Sequence, residues 1–363
     1  MRPLQQERFV HPTSAVPRVL QGLKLPPPGV RAPALRQLLR ALSGTPVPAA
    51  ALQRCDAAAA IGVREAELVA AHAGCFDRAE SPLAARRLRV RRRDIAAALA
   101  RFGRTRSVAG HRACRVERLG PACAPEHWAH AFALEQRGAD GSLARSLQFF
   151  DAAGDSLAEL TPLEAAGVAA WLDLVEACAC FEPAPRPLAA RRVRAARPAD
   201  EPADAATLRR AWGAMRTPDG FEALLARFAL SPAQACRLAG PDFARRVVPT
   251  SAHELLTAAA QQGVRLSVEV PGAGACGGDW RAVHQARGWT QAETAGVRLH
   301  LREDAVAEAW LLGCPSLAGL RQTLLLLDAT GAPIARLGDD STVRPERCGW
   351  RRLVAQLEVE VDA

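Results

Sequence analysis

Ser146-Leu147-Gln148-Phe149-Phe150-Asp151-Ala152-Ala153-Gly154-Asp155-Ser156-Leu157-Ala158-Glu159-Leu160 returns later in the chain as Thr323-Leu324-Leu325-Leu326-Leu327-Asp328-Ala329-Thr330-Gly331-Ala332-Pro333-Ile334-Ala335-Arg336-Leu337. Leu147, Asp151, Ala152, Gly154, Ala158 and Leu160 match Leu324, Asp328, Ala329, Gly331, Ala335 and Leu337. Each copy reads as a strand, a tight Asp-Ala-x-Gly turn and a return strand. The helix after each hairpin repeats as well, since Trp171, Leu174 and Val175 are echoed by Trp350, Leu353 and Val354 at helical spacing. Upstream, Gly62-Val63-Arg64-Glu65-Ala66 parallels Ala229-Leu230-Ser231-Pro232-Ala233. Each half therefore reads as helices, antiparallel strands and a closing helix. That is an α+β fold of two tandem repeats, each a large antiparallel sheet with flanking helices. Such a repeat fixes fold and leaves function open.

Working outward, residues 1–30 form a proline-rich arm, 31–182 the first repeat, 183–206 a linker rich in proline and arginine, and 207–363 the second repeat. Helices are expected over 55–61, closed by Gly62, and over 65–72 and 165–180. Residues 208–228 are helical with a break near Pro218, and Ser231 caps a helix that begins at Pro232. Another helix covers 251–262, and a last one starts near Pro345. Strands are expected across 128–160 and at 264–270, 297–301, 310–312, 323–327 and 334–337. The run Arg86–Arg93 reads as a solvated charged face, and Gly272–Gly278 as a hairpin loop.

The chain has 363 residues, 49% of them hydrophobic, which suffices for two cores. Its net charge of +9 is almost all arginine, Lys24 being the single lysine, and tyrosine is absent. A basic balance indicates nucleic acid only when it clusters on one face, so no nucleic-acid partner is expected. Met1–Gly22 has no apolar h-region, and no apolar run approaches a membrane span, so a cytoplasmic chain is expected. The ten cysteines form no CxxC pair, which speaks against a zinc ribbon or a thioredoxin-like site and for buried thiols. GxGxxG, P-loop, GxSxG and HExxH motifs are all missing, so no catalytic residue is assigned from a motif.

Three further stretches carry a resemblance. Leu299-His300-Leu301-Arg302-Glu303-Asp304-Ala305-Val306-Ala307-Glu308-Ala309-Trp310 is one. The second is Ser146–Asp151 with Gly154-Asp155, preceded by His127-Trp128-Ala129-His130. The third is Asp56–Val63 with Glu65-Ala66-Glu67-Leu68. Together they resemble the haemin-degrading, cytoplasmic haem-utilisation family (HemS, ChuS, HmuS, PhuS) over roughly residues 35 to 360. The resemblance implies two similar halves and a haem ligand lying on the sheet of the C-terminal half, reached from a central helix. Its members are described as haem-degrading enzymes or as carriers that hand haem to a haem oxygenase. A haem oxygenase or a haem-import component is thus the implied protein partner.

Against that pattern the chain departs at the positions that hold haem. The family's Trp-x4-Asp-x-His-x-Phe becomes Trp212…Phe221, and its ligand position falls on Asp219. Carboxylate is a poor ligand for ferrous iron compared with imidazole. Arg-Lys-Pro-Thr becomes Gly313-Cys314-Pro315-Ser316, and Gln-Leu-Tyr-Gly-x-Arg becomes Arg336-Leu337-Gly338-Asp339-Asp340-Ser341. Arg104, Arg106, His111 and Arg112 are the candidates for the distal arginine's place. The haem-contact candidates are therefore Asp219, Arg104, Arg106, His111, Arg112, Cys314 and Arg336, and the identity of any metal ligand stays open. His284 and His300 are read as surface and structural residues. Two functions remain: haem trafficking or degradation with substituted contacts, and a non-enzymatic scaffold or partner-binding protein that has lost haem.

Overall fold

A computed structural model describes residues 54–59, 61–73, 83–120, 128–137, 141–180, 188–189, 204–216, 220–286, 288–316, 319–340 and 344–357. The proline-rich arm, most of the linker, and Asp219 lie outside them. The fold is α+β. Helices are α1 (Glu65–Ala70), α2 (Arg92–Ala100), α3 (Ala165–Cys178), α4 (Ala205–Gly213), α5 (Gly220–Phe228), α6 (Pro232–Ala239), α7 (Ser251–Gln262) and α8 (Arg344–Ala355). The first strands are β1 (Leu83–Leu88), β2 (Thr105–His111), β3 (Cys114–Leu119), β4 (His130–Arg137), β5 (Leu143–Phe150) and β6 (Ser156–Pro162). Then come β7 (Ala244–Val247), β8 (Leu266–Val270), β9 (Gly274–Gly278), β10 (Arg281–Ala286), β11 (Trp289–Thr294) and β12 (Val297–Arg302). The last are β13 (Glu308–Ser316), β14 (Gly319–Leu327) and β15 (Pro333–Asp339).

The repeated hairpin turn is built twice in the same way. Gly154 N–H donates to Asp151 O at 3.1 Å, and Gly331 N–H donates to Asp328 O at 2.8 Å. Both glycines are left-handed, at φ 80° and 77°, which costs a residue with a Cβ more than it costs glycine. The closing helices also match. Trp171 Nε1 donates to Ser146 O and Trp350 Nε1 to Gln322 O, each at 2.9 Å, one residue apart in the repeat alignment. The N-terminal helices begin with caps of different completeness: Arg64 N–H donates to Glu67 Oε2 at 2.9 Å, whereas Ser231 and Gln234 cap each other reciprocally.

The chain divides into two compact units that do not follow chain order. One comprises residues 1–103, 128–155 and 164–188, with antiparallel strands in the order β1-β4-β5. Its core brings Leu68, Val69, Phe132, Leu134 and Phe150 together, with Phe132 and Phe150 edge to face. The other comprises 104–127, 156–163 and 189–363. It holds a run β6-β2-β3-β12-β11-β10, in which first-half strands pair with second-half ones, and a separate sheet ordered β7-β13-β14-β15-β8-β9.

Three expectations change. Arg86–Arg93 is not one solvated face: β1 ends inside it, α2 begins at Arg92, and Arg87 lies 5.4 Å above the Phe132 ring. Gly272–Gly278 is not a loop, because only residues 271–273 turn and Gly274–Gly278 pairs with β8. The glycines are needed there for room. A Cβ on Gly277 would stand 2.4 Å from the Asp340 carboxyl, and one on Gly278 would stand 2.7 Å from Thr294 Oγ1. Finally, β2 and β3 occupy 105–119, where no strand was expected.

Candidate functional site

The sheet β7-β13-β14-β15-β8-β9 has two unlike faces, and its register says which residues share each. On one face Leu311, Leu324, Leu326, Leu337, Leu266 and Val268 are buried, and α8 packs on β15. On the other, directly opposed residues run Leu312–Thr323–Gly338–Ser267–Gly277 across five strands. This row is low. A Cβ placed on Gly338 would meet only Thr323 Cγ2 at 3.3 Å and Ser267 Oγ at 3.9 Å among the described residues. Thr323 and Ser267 are half-buried and Gly277 is exposed. Strands lie about 4.8 Å apart, so Thr323 to Gly277 spans roughly 14 Å of floor.

Charged rows flank the floor. On one side, Cys314 faces Arg321, whose Nε lies 3.4 Å from Asp339. The same row continues into Asp340, held by Arg265 Nη2 at 3.0 Å, and Asp279, 3.7 Å from Arg265 Nη1. The Asp340 carboxylate leans across Gly277 and closes that end of the floor. On the other side stand Leu325, Arg336 and Glu269. Arg336 pairs with Glu222 of α5 and lies 5.3 Å from the Phe221 ring centre, while its Nε is buried without a hydrogen-bond partner.

Helices α4, α5 and α6 wall the β13 end. Leu208, Trp212, Phe221 and Leu225 pack with Trp310, Leu312, Cys314 and Leu325 in one core. The Trp212 ring meets Phe221 at 5.1 Å, and its Nε1 donates to Gly313 O at 3.0 Å. This anchors the end of α4 beside the floor. Residues 217–219, and so Asp219, follow between α4 and α5, outside the described residues.

The remaining candidates are scattered within their unit. Cys314 is 4% exposed, and burial pushes its thiol up to about 11, so it is a core thiol at neutral pH. Arg104 is exposed just before β2. Arg106 lies 4.0 Å from Glu117, and the His111 Nδ1 accepts from Ala113 N–H at 3.2 Å. Arg112 Nη2 donates to Asp328 at 2.8 Å. The structure thus brings Cys314 and Arg336 to one face and sets Arg104, Arg106, His111 and Arg112 on β2 and its ends. His300 is buried, with Nε2 3.7 Å from Glu117. Burial raises the Glu117 carboxyl, but His300, Arg298 and Arg106 outweigh it and hold it below its usual value. His284 Nδ1 lies 2.8 Å from Ala282 O.

Sequence reading missed Arg321, Thr323, Ser267, Arg265 and the two acids' roles. Their signal is positional. Once the β14–β15 hairpin is recognised, alternation puts Arg321, Thr323, Arg336 and Gly338 on one face, but β8 and β9 join them only through pairing distant in sequence.

Comparison with known proteins adds the family. The model of the haemin-degrading HemS.ChuX domain matches residues 123–178 and 229–357. The hemin transport protein HemS of Yersinia enterocolitica is 32% identical over 237 residues, covering 63% of this chain and 67% of that protein. The chain belongs to the HemS family. HmuS of Yersinia pestis, a hemin transport protein, gives the same 32% identity. Among solved structures, holo-PhuS, a heme-binding protein from Pseudomonas aeruginosa, aligns with a TM-score of 0.74 at 29% identity, covering 91% of this chain and 99% of that one. The heme-degrading enzyme ChuS of Escherichia coli O157:H7 aligns at 0.70 and 28% identity, covering 84% and 94%. The family match leaves out residues 179–228, which contain α4, α5 and Asp219. No helix among the described residues is long and apolar enough to cross a membrane.

Proposed function

We propose that this chain binds haem as a cargo of haem uptake and utilisation in the cytoplasm, seated on the floor Thr323–Gly338–Ser267 of the C-terminal sheet. The observation that supports this reading is the asymmetry of that sheet. One face is sealed by leucines, while the other carries small side chains between two guanidinium groups. A flat apolar macrocycle needs a smooth floor, and its propionates need cations that approach in the plane. Arg321 and Arg336 stand on either side of the floor, Arg336 with a buried Nε still unmatched. Gly338 sits where the family pattern has tyrosine, so the floor is lower here than that pattern would make it.

Trafficking is favoured over breakdown. Breakdown needs iron held with an open position for dioxygen, and the floor's described side chains offer carboxylate, guanidinium and hydroxyl groups. A haem oxygenase or a haem-import component is the corresponding giver or receiver. One observation favours the second reading, a scaffold that no longer binds haem: Arg336 is already engaged with Glu222 and Phe221.

Titration with haemin, followed by the Soret band, decides between them. The haem reading expects saturation near one equivalent, weakened at least about tenfold in the Arg321→Ala/Arg336→Ala double variant, or about 1.4 kcal/mol. A wild-type Soret band indistinguishable from that with a non-binding control protein leaves the scaffold reading.

A further inference from the structure

We infer that this face recognises the tetrapyrrole as a flat dicarboxylate and not through its iron, so that a metal-free porphyrin binds about as tightly as haemin. The inference rests on the haem reading above and specifies the ligand class of the same site.

The donor set carries it. None of the six strands of the sheet contains histidine, nor do α4, α5 and α6. The chain has no tyrosine. The sulfur donors nearby are all buried: Cys236 shares the helix-covered core, and Cys276 of β9 donates its thiol to Val268 O at 3.4 Å. Cys314 is 4% exposed and packed with Leu208 and Trp212 in the helix-covered core. Met215 is 7% exposed in that core, with its sulfur 3.1 Å from where a Cβ on Gly220 would stand. Among the described residues, the charged groups on the face are hard or cationic: Arg321, Arg336, Arg265, Asp340 and Glu269. Oxygen donors of this kind select hard ions and give iron in a porphyrin little of the preference that imidazole or thiolate gives.

The groups that are present suit the organic part of the ligand. The floor accepts a planar ring by its face. Arg321 and Arg336 suit carboxylates, since a guanidinium pairs with them bidentately and keeps its charge at any working pH. Asp340, fixed by Arg265 over Gly277, repels a carboxylate at the β9 end and so sets which edge of the ring faces which row. None of these interactions involves the ring's centre.

The test is a set of parallel titrations of the full chain with haemin, with metal-free protoporphyrin and with the dimethyl ester of the same porphyrin. Absorbance and tryptophan quenching are the readouts. Haemin and protoporphyrin should bind within about threefold of each other, and the ester at least about tenfold more weakly, since it has lost both charge-assisted pairs. The Gly338→Leu variant should weaken haemin and protoporphyrin alike. Haemin binding about 30-fold or more tighter than protoporphyrin would overturn the inference and leave the haem reading standing. A nitrogen-ligated ferric spectrum, or a sulfur-ligated one abolished in Met215→Leu or Cys314→Ser, would do the same. An ester that binds as well as the free acid would overturn the dicarboxylate half. Failure of haemin and protoporphyrin alike would overturn this inference together with the haem reading.

Discussion

The turn at Asp151 and the turn at Asp328 are copies of one design put to different uses. In the first, Asp151 Oδ1 accepts from Asp155 N–H at 2.9 Å, and Gly154 is covered by Leu188 and Ala66. The strand before it buries Gln148 completely, its amide donating to Glu65 of α1. In the second, nothing described stands within 4 Å of a Cβ on Gly331, and Asp328 gathers Thr330 N–H, Thr330 Oγ–H, Ala332 N–H and Arg112 Nη2. The strands it joins carry half-buried Thr323 and buried Gly338 on the face away from the leucines. The same hairpin thus serves as core in one half and as floor in the other. Duplication preserved the turn, the glycine and the closing tryptophan; covering the sheet, or leaving it low, is what separates the halves.

The largest test of that equivalence concerns the tryptophans. Trp171→Ala and Trp350→Ala should each cost about 3–5 kcal/mol in denaturant unfolding, since each removes a buried ring and its indole hydrogen bond. A cost below about 1 kcal/mol for either would break the parallel. Next, Asp328→Asn should cost about 1.5–3 kcal/mol at neutral pH, the range for hydrogen bonds to a charged group, and more than Asp151→Asn. Burial raises the Asp328 carboxyl, but the bonds from Thr330, Ala332 and Arg112 outweigh it and hold it below 3.8. A depressed folded value means stability that is present above pH 3.8 and lost as pH falls through the folded value. The gap between wild type and Asp328→Asn should therefore close on acidification, as read by urea midpoints. The smallest effect belongs to Arg112→Ala. Its side chain is 38% exposed, so about 1 kcal/mol or less is expected, with haemin affinity unchanged because its guanidinium serves the turn.

Much of the fold was legible in the sequence, and the rest failed for identifiable reasons. The hairpins, the division of 208–228 into a helix ending at Gly213 and one beginning at Gly220, and the Ser231 cap follow from local rules. β1 was missed because Leu-Ala-Ala-Arg-Arg-Leu hides its pattern, its arginines being half-buried and Arg87 covering an aromatic ring. β9 looked like a loop because its glycines answer to Asp340 and Thr294, residues far along the chain. The floor was only half legible for the same reason, since no local pattern specifies that β8 and β9 join the β14–β15 hairpin. Arg336 and Cys314 were found as replacements in a motif, and their opposite situations, one beside the floor and one in the core, required the fold.

The most direct measurement compares haemin affinity in Gly338→Leu and Thr161→Leu, the equivalent positions of the two repeats. Neither residue is left-handed, and because Gly338 is buried, thermal unfolding checks that each variant stays folded. The account predicts at least about a tenfold loss for Gly338→Leu and none beyond error for Thr161→Leu. Equal affinities in both variants and wild type would contradict it, because a leucine standing in the middle of the floor would then obstruct nothing.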